Sequence, residues 1–174
     1  YDFRALDFPE DPWVRFMRWT HRTTPYGYVW VGVTLIPSLV GMGKFLLTLI
    51  LFKYLAVFAY WICAYFIYKI LKIINPESAI FGTLFFTLNP LVITEVLVSG
   101  HNDIVMAALA LASFWFLIKR ESVNSFFFLL LSVGIKYVTA ILAPVWAYVF
   151  LSKDKNWNRI VTAAVLLLYG GLVI

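Results

Sequence analysis

Long runs of apolar residues constrain this chain more than any other feature. Residues 45–68, 79–98 and 125–151 each contain a single charged residue. A helix needs about 20 apolar residues to cross the roughly 30 Å hydrocarbon core of a bilayer. Hydrophobic residues make up 63% of the chain and charged residues 13%, whereas soluble domains are about half apolar and about a quarter charged. The sequence therefore predicts an all-α, polytopic transmembrane helical bundle, whose first partner is the lipid bilayer.

Polar residues and prolines divide the chain into one loop and several helical segments. Residues 1–27 balance four acids against four arginines and contain three prolines, so we expect a loop on the outer side of the membrane. Residues 28–174 form the predicted transmembrane region. Its parts are a short apolar helix at 28–41, spans at about 45–68, 79–98 and 104–118, a segment at 125–151, and a truncated span from residue 160. Pro90 predicts a kink in its span.

Residues 125–151 allow two interpretations, because Lys136 lies near their middle. One long tilted span would place Lys136 near the bilayer centre. A re-entrant hairpin that turns near Lys136 would put the flanking basic residues on one side, which the positive-inside rule favours. Three basic clusters would then be cytoplasmic, namely Lys69 and Lys72, Lys119 and Arg120, and Lys153, Lys155 and Arg159. Loop 1–27 and residues 100–103, called here the 100–103 loop, would share the outer side.

Ionisable residues inside apolar runs cost at least about 2.5–3.5 kcal/mol at a helix centre, so each needs a partner or a task. Glu95 would either reach the outer interface or face an aqueous cavity. Asp103 directly precedes an apolar helix, where it would act as the N-cap and could also belong to a site. Lys136 would pair with Asp103 or with an anionic ligand. Lys53 would extend toward the outer surface, and we assign it no role.

His101 is a candidate metal ligand or acid–base group. One histidine among scattered carboxylates is a weak metal pattern, so Asp103 and His101 are only candidate ligands for a divalent cation. The sequence contains no Walker loop and no Gly-x-Gly-x-x-Gly pattern. The basic residues flank apolar runs, so the net charge of +5 does not predict a nucleic-acid partner.

Four motifs carry a family resemblance. They are Asn89-Pro90-Leu91 leading to Glu95, then Gly100-His101-Asn102-Asp103, then Val133-Gly134-Ile135-Lys136, and the earlier run Thr23-Thr24-Pro25-Tyr26-Gly27-Tyr28-Val29-Trp30. Together they resemble the integral-membrane GT-C glycosyltransferases, in particular the bacterial polyprenyl-phosphate-mannose-dependent mannosyltransferases. The resemblance covers roughly residues 23–150, and Tyr28 stands where the family usually has a second proline.

The resemblance implies transfer of a hexose, with mannose expected, from a polyprenyl-phosphate donor to an acceptor hydroxyl. The acceptor would be a glycan or a lipid on the extracytoplasmic face of a bacterial plasma membrane. Substrate-binding roles are implied for Glu95, His101, Asn102, Asp103, Lys136 and Tyr26. The family's catalytic carboxylate lies in an outer loop after the first span, so we expect the base upstream of Tyr1 and expect this chain alone to be inactive. No cofactor is implied with certainty, and a divalent cation stays a candidate.

Two other classes of function stay open from the sequence. A transporter would also have charges within apolar segments, a helix broken at Pro90 and a re-entrant hairpin. Against it, the polar residues gather at one side, and no inverted repeat is visible. A non-catalytic membrane scaffold would explain the composition, but it would not explain Lys136.

The basic clusters predict which side of the membrane each loop faces. Single cysteines introduced at Ser122 and Asn156 should react with a membrane-impermeant thiol reagent from the cytoplasmic side. Cysteines at Thr24 and Ser99 should react from the outer side. Reaction of the Ser122 and Asn156 positions from opposite sides would exclude the re-entrant hairpin.

Overall fold

The computed structural model describes residues 26–151, which form helices and no strand. The all-α prediction is therefore confirmed for this part of the chain. The α-helices are α1 Tyr28–Val40, α2 Phe45–Ile74, α3 Ala79–Thr87, α4 Pro90–Val92, α5 Asp103–Ile118, α6 Ser122–Ile135 and α7 Ala143–Leu151. Tighter 3₁₀ turns occupy Pro76–Ser78 and Tyr137–Leu142, and a π-helix occupies Ile93–Ser99. Most of the predicted 1–27 loop, the cluster Lys153, Lys155 and Arg159, and the predicted span from residue 160 lie outside the described residues.

α2 is the longest described helix and runs without a break through Lys53. It extends beyond its predicted end at residue 68 to Ile74. Lysine is a good helix former, and Lys69 and Lys72 place their ammonium groups 5.4 and 5.5 Å from tyrosine rings of the preceding turn. These lysines therefore continue the helix, and Asn75 ends it.

By its length and composition, α2 could cross a membrane. Within residues 26–151, no other unbroken helix is both long and apolar enough to span a bilayer. Pro76–Thr87 and Pro90–Ser99 pass the same test only as one broken span, bent by 45°. The bend confirms the kink predicted at Pro90. The Asn89 side chain accepts hydrogen bonds from the next turn and so begins a new helix there. The multi-pass topology stays a prediction.

α5 packs beside α2 and runs in the same direction. Lys53 contacts the carbonyl of Val98, just before α5, and Phe66 lies 5.7 Å from Trp115 farther along both helices. Both helices bury several small residues, which let neighbouring backbones approach closely. The buried alanines are Ala56, Ala59 and Ala64 on α2, and Ala107, Ala108, Ala110 and Ala112 on α5. This direction puts the C-terminal lysines of α2 at the same end of the bundle as Lys119, opposite the 100–103 loop.

The chain doubles back at Lys136. α6 ends at Ile135, Lys136 is extended, and the following 3₁₀ turn leads into α7. The Trp146 Nε1 atom donates a 2.6 Å hydrogen bond to Ser125 Oγ. A continuous helix would hold these two residues roughly 30 Å apart. Of the two interpretations of residues 125–151, the described structure therefore contains the hairpin, and its insertion in a membrane stays a prediction.

Buried serines join α5 to α6 in antiparallel orientation. The Ser113 hydroxyl donates to the Ser125 carbonyl at 2.8 Å, and the Ser125 hydroxyl donates to the Ser113 carbonyl at 2.9 Å. Farther along, the Ser132 hydroxyl donates to the Met106 carbonyl at 2.9 Å. Serine side chains are small enough for close helix packing, and their hydroxyls bond backbone carbonyls of the neighbouring helix in an apolar interior. This antiparallel packing places the end of α6 beside the beginning of α5.

Ser125 provides a test of the hairpin. Ser125→Ala should lower the free energy of unfolding by about 1–2 kcal/mol, because it removes the hydroxyl shared by Trp146 Nε1 and the Ser113 carbonyl. Asn124→Ala is the matched control, since Asn124 is exposed and bonds only its neighbour Glu121 in the described structure. It should change stability by less than about 0.5 kcal/mol. Unfolding in detergent measures both variants, and equal effects would contradict the hairpin contact.

Candidate functional site

Lys136 and Asp103 form an ion pair where the end of α6 meets the beginning of α5. The distance from Lys136 Nζ to Asp103 Oδ1 is 2.6 Å. Charge-assisted hydrogen bonds of this kind are about twice as strong as neutral ones. The side chains are 40% and 32% exposed, so a ligand can reach both. The prediction that Lys136 approaches Asp103 is confirmed.

The capping role predicted for Asp103 is wrong in detail. Asp103 is itself the first residue of α5, and Asn102 occupies the position before the helix without a side-chain capping bond. The Asp103 carboxylate is bonded to Lys136 instead, because a cation is a stronger partner than a neutral backbone amide. The carboxylate still lies in the first turn of the helix, where the helix dipole favours negative charge.

His101 connects the ion pair to Glu95. Its Nε2 atom lies 3.4 Å from Glu95 Oε2, and its Nδ1 atom lies 4.0 Å from Asp103 Oδ2. The turn that places the ring here depends on Gly100, whose φ of +77° suits glycine. The His101 backbone amide then donates to the Glu95 carbonyl at 3.1 Å. The result is a continuous polar row that runs from Glu95 through His101 and Asp103 to Lys136.

Tyr26 and Gly27 reach the same end of the bundle through backbone contacts. The Gly27 amide donates a 2.9 Å hydrogen bond to the Ile135 carbonyl, one residue before Lys136. A side-chain carbon at Gly27 would collide with the Gly134 carbonyl, and one at Gly134 would collide with Val29. Only glycines permit this approach. The contact of Gly27 therefore places its neighbour Tyr26, a predicted substrate-binding residue, near the turn at Lys136.

Asn102 contributes a buried amide group. Its Nδ2 atom is inaccessible to solvent and has no hydrogen-bond partner among residues 26–151. Buried donors are normally satisfied by protein, water or ligand. Asn102 therefore has an unpaired amide donor beside His101 and Asp103, and its predicted substrate-binding role stays a prediction.

Lys53 is the site neighbour that sequence reasoning missed. We assigned Lys53 no role, and the expected extension of its side chain to the outer surface stays a prediction. The ammonium group donates to the Val98 carbonyl and lies beside Gly100, at the base of the 100–103 loop. The one signal in the sequence was the charge of Lys53 within an apolar run. Nothing in the neighbouring residues indicated that the Val98 carbonyl would be its partner.

The described residues do not favour a metal centre. Among residues 26–151, no group of three or more His, Cys, Asp or Glu side chains could hold a metal ion. Asp103 and His101 were the candidate ligands. Asp103 is paired with the Lys136 ammonium group, whose charge would repel a divalent cation.

The comparison with known families places the chain among glycosyltransferases. It belongs to the MptA_B family, described as alpha-(1->6)-mannopyranosyltransferase, N-terminal domain, whose model matches residues 10–152. The match includes every predicted substrate-binding residue, from Tyr26 to Lys136. No curated protein and no solved structure matches the chain. Transfer of mannose is thereby the activity of the family to which this chain belongs.

Two glycine substitutions, at Gly27 and Gly32, can test the close approach of Gly27 to Gly134. Gly27→Ala should lower the free energy of unfolding by about 1–3 kcal/mol, because the new methyl group collides with the Gly134 backbone. Gly32→Ala in α1 is the matched control, since its new carbon would meet no atom within 4 Å apart from the adjacent residues and backbone of its own helix. It should raise stability by up to about 1 kcal/mol, as expected in a helix interior. Equal effects of the two changes in detergent unfolding would contradict the close approach.

Proposed function

We propose that this chain supplies the donor-phosphate site of a GT-C mannosyltransferase that uses polyprenyl-phosphate mannose. The observation that carries the proposal is the accessible Lys136–Asp103 ion pair at the beginning of α5. Family membership supports mannose transfer and favours an enzyme over a transporter or a scaffold. The lipid-linked donor, the acceptor and the membrane orientation belong to the proposal.

The chemistry needs positive groups at the leaving phosphate. As the bond between the anomeric carbon and the phosphate oxygen breaks, negative charge grows on the phosphate, and the new bond forms to the acceptor oxygen. Lys136 Nζ supplies a full positive charge at the site. The first backbone amides of α5 supply further donors, because the first turn of a helix has no intrahelical acceptors for them. The lipid phosphate leaves as the free polyprenyl phosphate.

Asp103 orients Lys136 in this proposal. An ion pair of 2.6 Å holds the flexible lysine side chain in one place before substrate arrives. The exposed His101 side chain is a donor for the phosphate or for sugar hydroxyls, and Glu95 lies 3.4 Å from its Nε2 atom. The acceptor proton goes to a carboxylate base that we do not assign to any of these residues.

Product stereochemistry constrains the donor. The family description specifies an α-(1→6) linkage. A single displacement inverts the anomeric carbon, so an α-linked product by this route requires a β-linked mannosyl donor. The acceptor would be a primary 6-hydroxyl of a glycan or lipid glycan. The site would face the extracytoplasmic side of a bacterial plasma membrane, because the lysines at the opposite end of the bundle favour the cytoplasm.

Lys136 is the residue that tests the proposal. In the full-length protein, Lys136→Met should lower kcat for mannose transfer from polyprenyl-phosphate mannose by about 10²–10³-fold, because it removes charge stabilisation at the leaving phosphate. Lys136→Arg should recover part of the activity. Lys69→Met, at the far end of α2, is the matched control and should leave kcat unchanged.

Two results would refute this assignment. One is a Lys136→Met protein that folds and transfers mannose at the rate of the unaltered protein. The other is an unaltered protein that uses nucleotide-linked mannose but not polyprenyl-phosphate mannose.

A further inference from the structure

We propose that Lys53 is a positioning residue that fixes the 100–103 loop against α2, and thereby holds His101 and Asp103 in register with Lys136. The inference deepens the proposed function, because it names a residue on which the donor-phosphate site depends. Lys53 lies 45 residues before Val98 in the sequence. It touches none of the groups assigned to the substrate, so its action is through the loop.

The contact lies at the point where the π-helix Ile93–Ser99 ends. Lys53 Nζ donates to the Val98 carbonyl, and a side-chain carbon at Gly100 would lie 3.3 Å from the same nitrogen. The terminal carbonyls of a helical segment have no intrahelical donors, and they carry the negative end of the helix dipole. A lysine ammonium group satisfies both requirements from a neighbouring helix.

A lysine inside an apolar helix needs a reason to be there. Among residues 26–151, Lys53 donates to the Val98 carbonyl beside Gly100, and no carboxylate forms an ion pair with it. The charge of Lys53 is therefore directed to the carbonyl end of the segment that carries the loop.

The loop is short enough for this anchor to matter. His101 follows Gly100 directly, and its amide is already bonded to the Glu95 carbonyl in the same turn. Asp103 comes two residues later and bonds Lys136, directly after the end of α6. Two lysines, one on α2 and one at the turn after α6, thus hold the 100–103 loop between them. Release at Lys53 would leave the Asp103–Lys136 ion pair as the side-chain bond from this loop to a separate segment in the described structure.

Hydrogen–deuterium exchange on the full-length protein tests the anchor without using activity. Lys53→Met keeps most of the side-chain length but removes the donor. It should speed exchange by about tenfold in peptides that cover residues 98–103, because one charge-assisted hydrogen bond is lost. Peptides from α6 should exchange as before. Lys53→Arg should restore slow exchange, and Lys69→Met on the same helix should have no effect.

Kinetics provide the second measurement. If the polyprenyl-phosphate donor is used, Lys53→Met should lower kcat about tenfold with little change in donor KM, since the loop would be displaced in the transition state. Lys53→Arg should recover kcat. If the unaltered protein does not use this donor, the proposed function fails, and the exchange measurement still decides the role of Lys53.

Two exchange results would overturn the inference. Unchanged exchange at residues 98–103 in Lys53→Met would mean that Lys53 does not hold the loop. A uniform increase across all helices would mean that Lys53 serves general stability instead. Should the Met variant fail to accumulate, Lys53→Gln replaces it, because it keeps a polar end but is too short to reach the same carbonyl. It must then show the same local increase.

Discussion

A lysine at the turn of an apolar hairpin cannot stay unpaired at low cost, and the Lys136–Asp103 ion pair meets this requirement. The pair joins the end of α6 to the beginning of α5, two points 33 residues apart in the sequence. Other features follow from it. The hairpin has a defined apex, and the Lys136 ammonium group lies beside the first turn of α5.

The same apex is assembled by contacts that do not involve charge. Serine hydroxyls bond across the α5–α6 interface, and Gly27 and Gly134 allow two backbones to touch. Because these residues are small, the segments approach closely, and the serine hydroxyls find backbone carbonyls as acceptors. The charged residues of the candidate site are therefore positioned by the close packing of small residues that carry no charge.

The site unites segments that the sequence presents separately. Membership in a mannosyltransferase family fits an arrangement in which one lysine, one histidine and two carboxylates form a row. In the function we propose, a leaving phosphate meets Lys136 and the amides of α5 together, and Lys53 stabilises the opposite side of the same loop. In that proposal the two lysines have different tasks, one toward the ligand and one toward the protein backbone.

Sequence alone determined the helical class, the break at Pro90, the continuity of α2 through Lys53 and the need of Lys136 for an anionic partner, with Asp103 as one candidate. These follow from local causes, namely apolar runs, missing turn residues, proline geometry and the cost of isolated charges. Only the tertiary structure decided that residues 125–151 fold back, that Gly27 meets Gly134, and that Lys53 bonds Val98. Each of these is a contact between residues distant in sequence. No local pattern encodes which distant backbone a side chain will meet, because helix packing makes that choice.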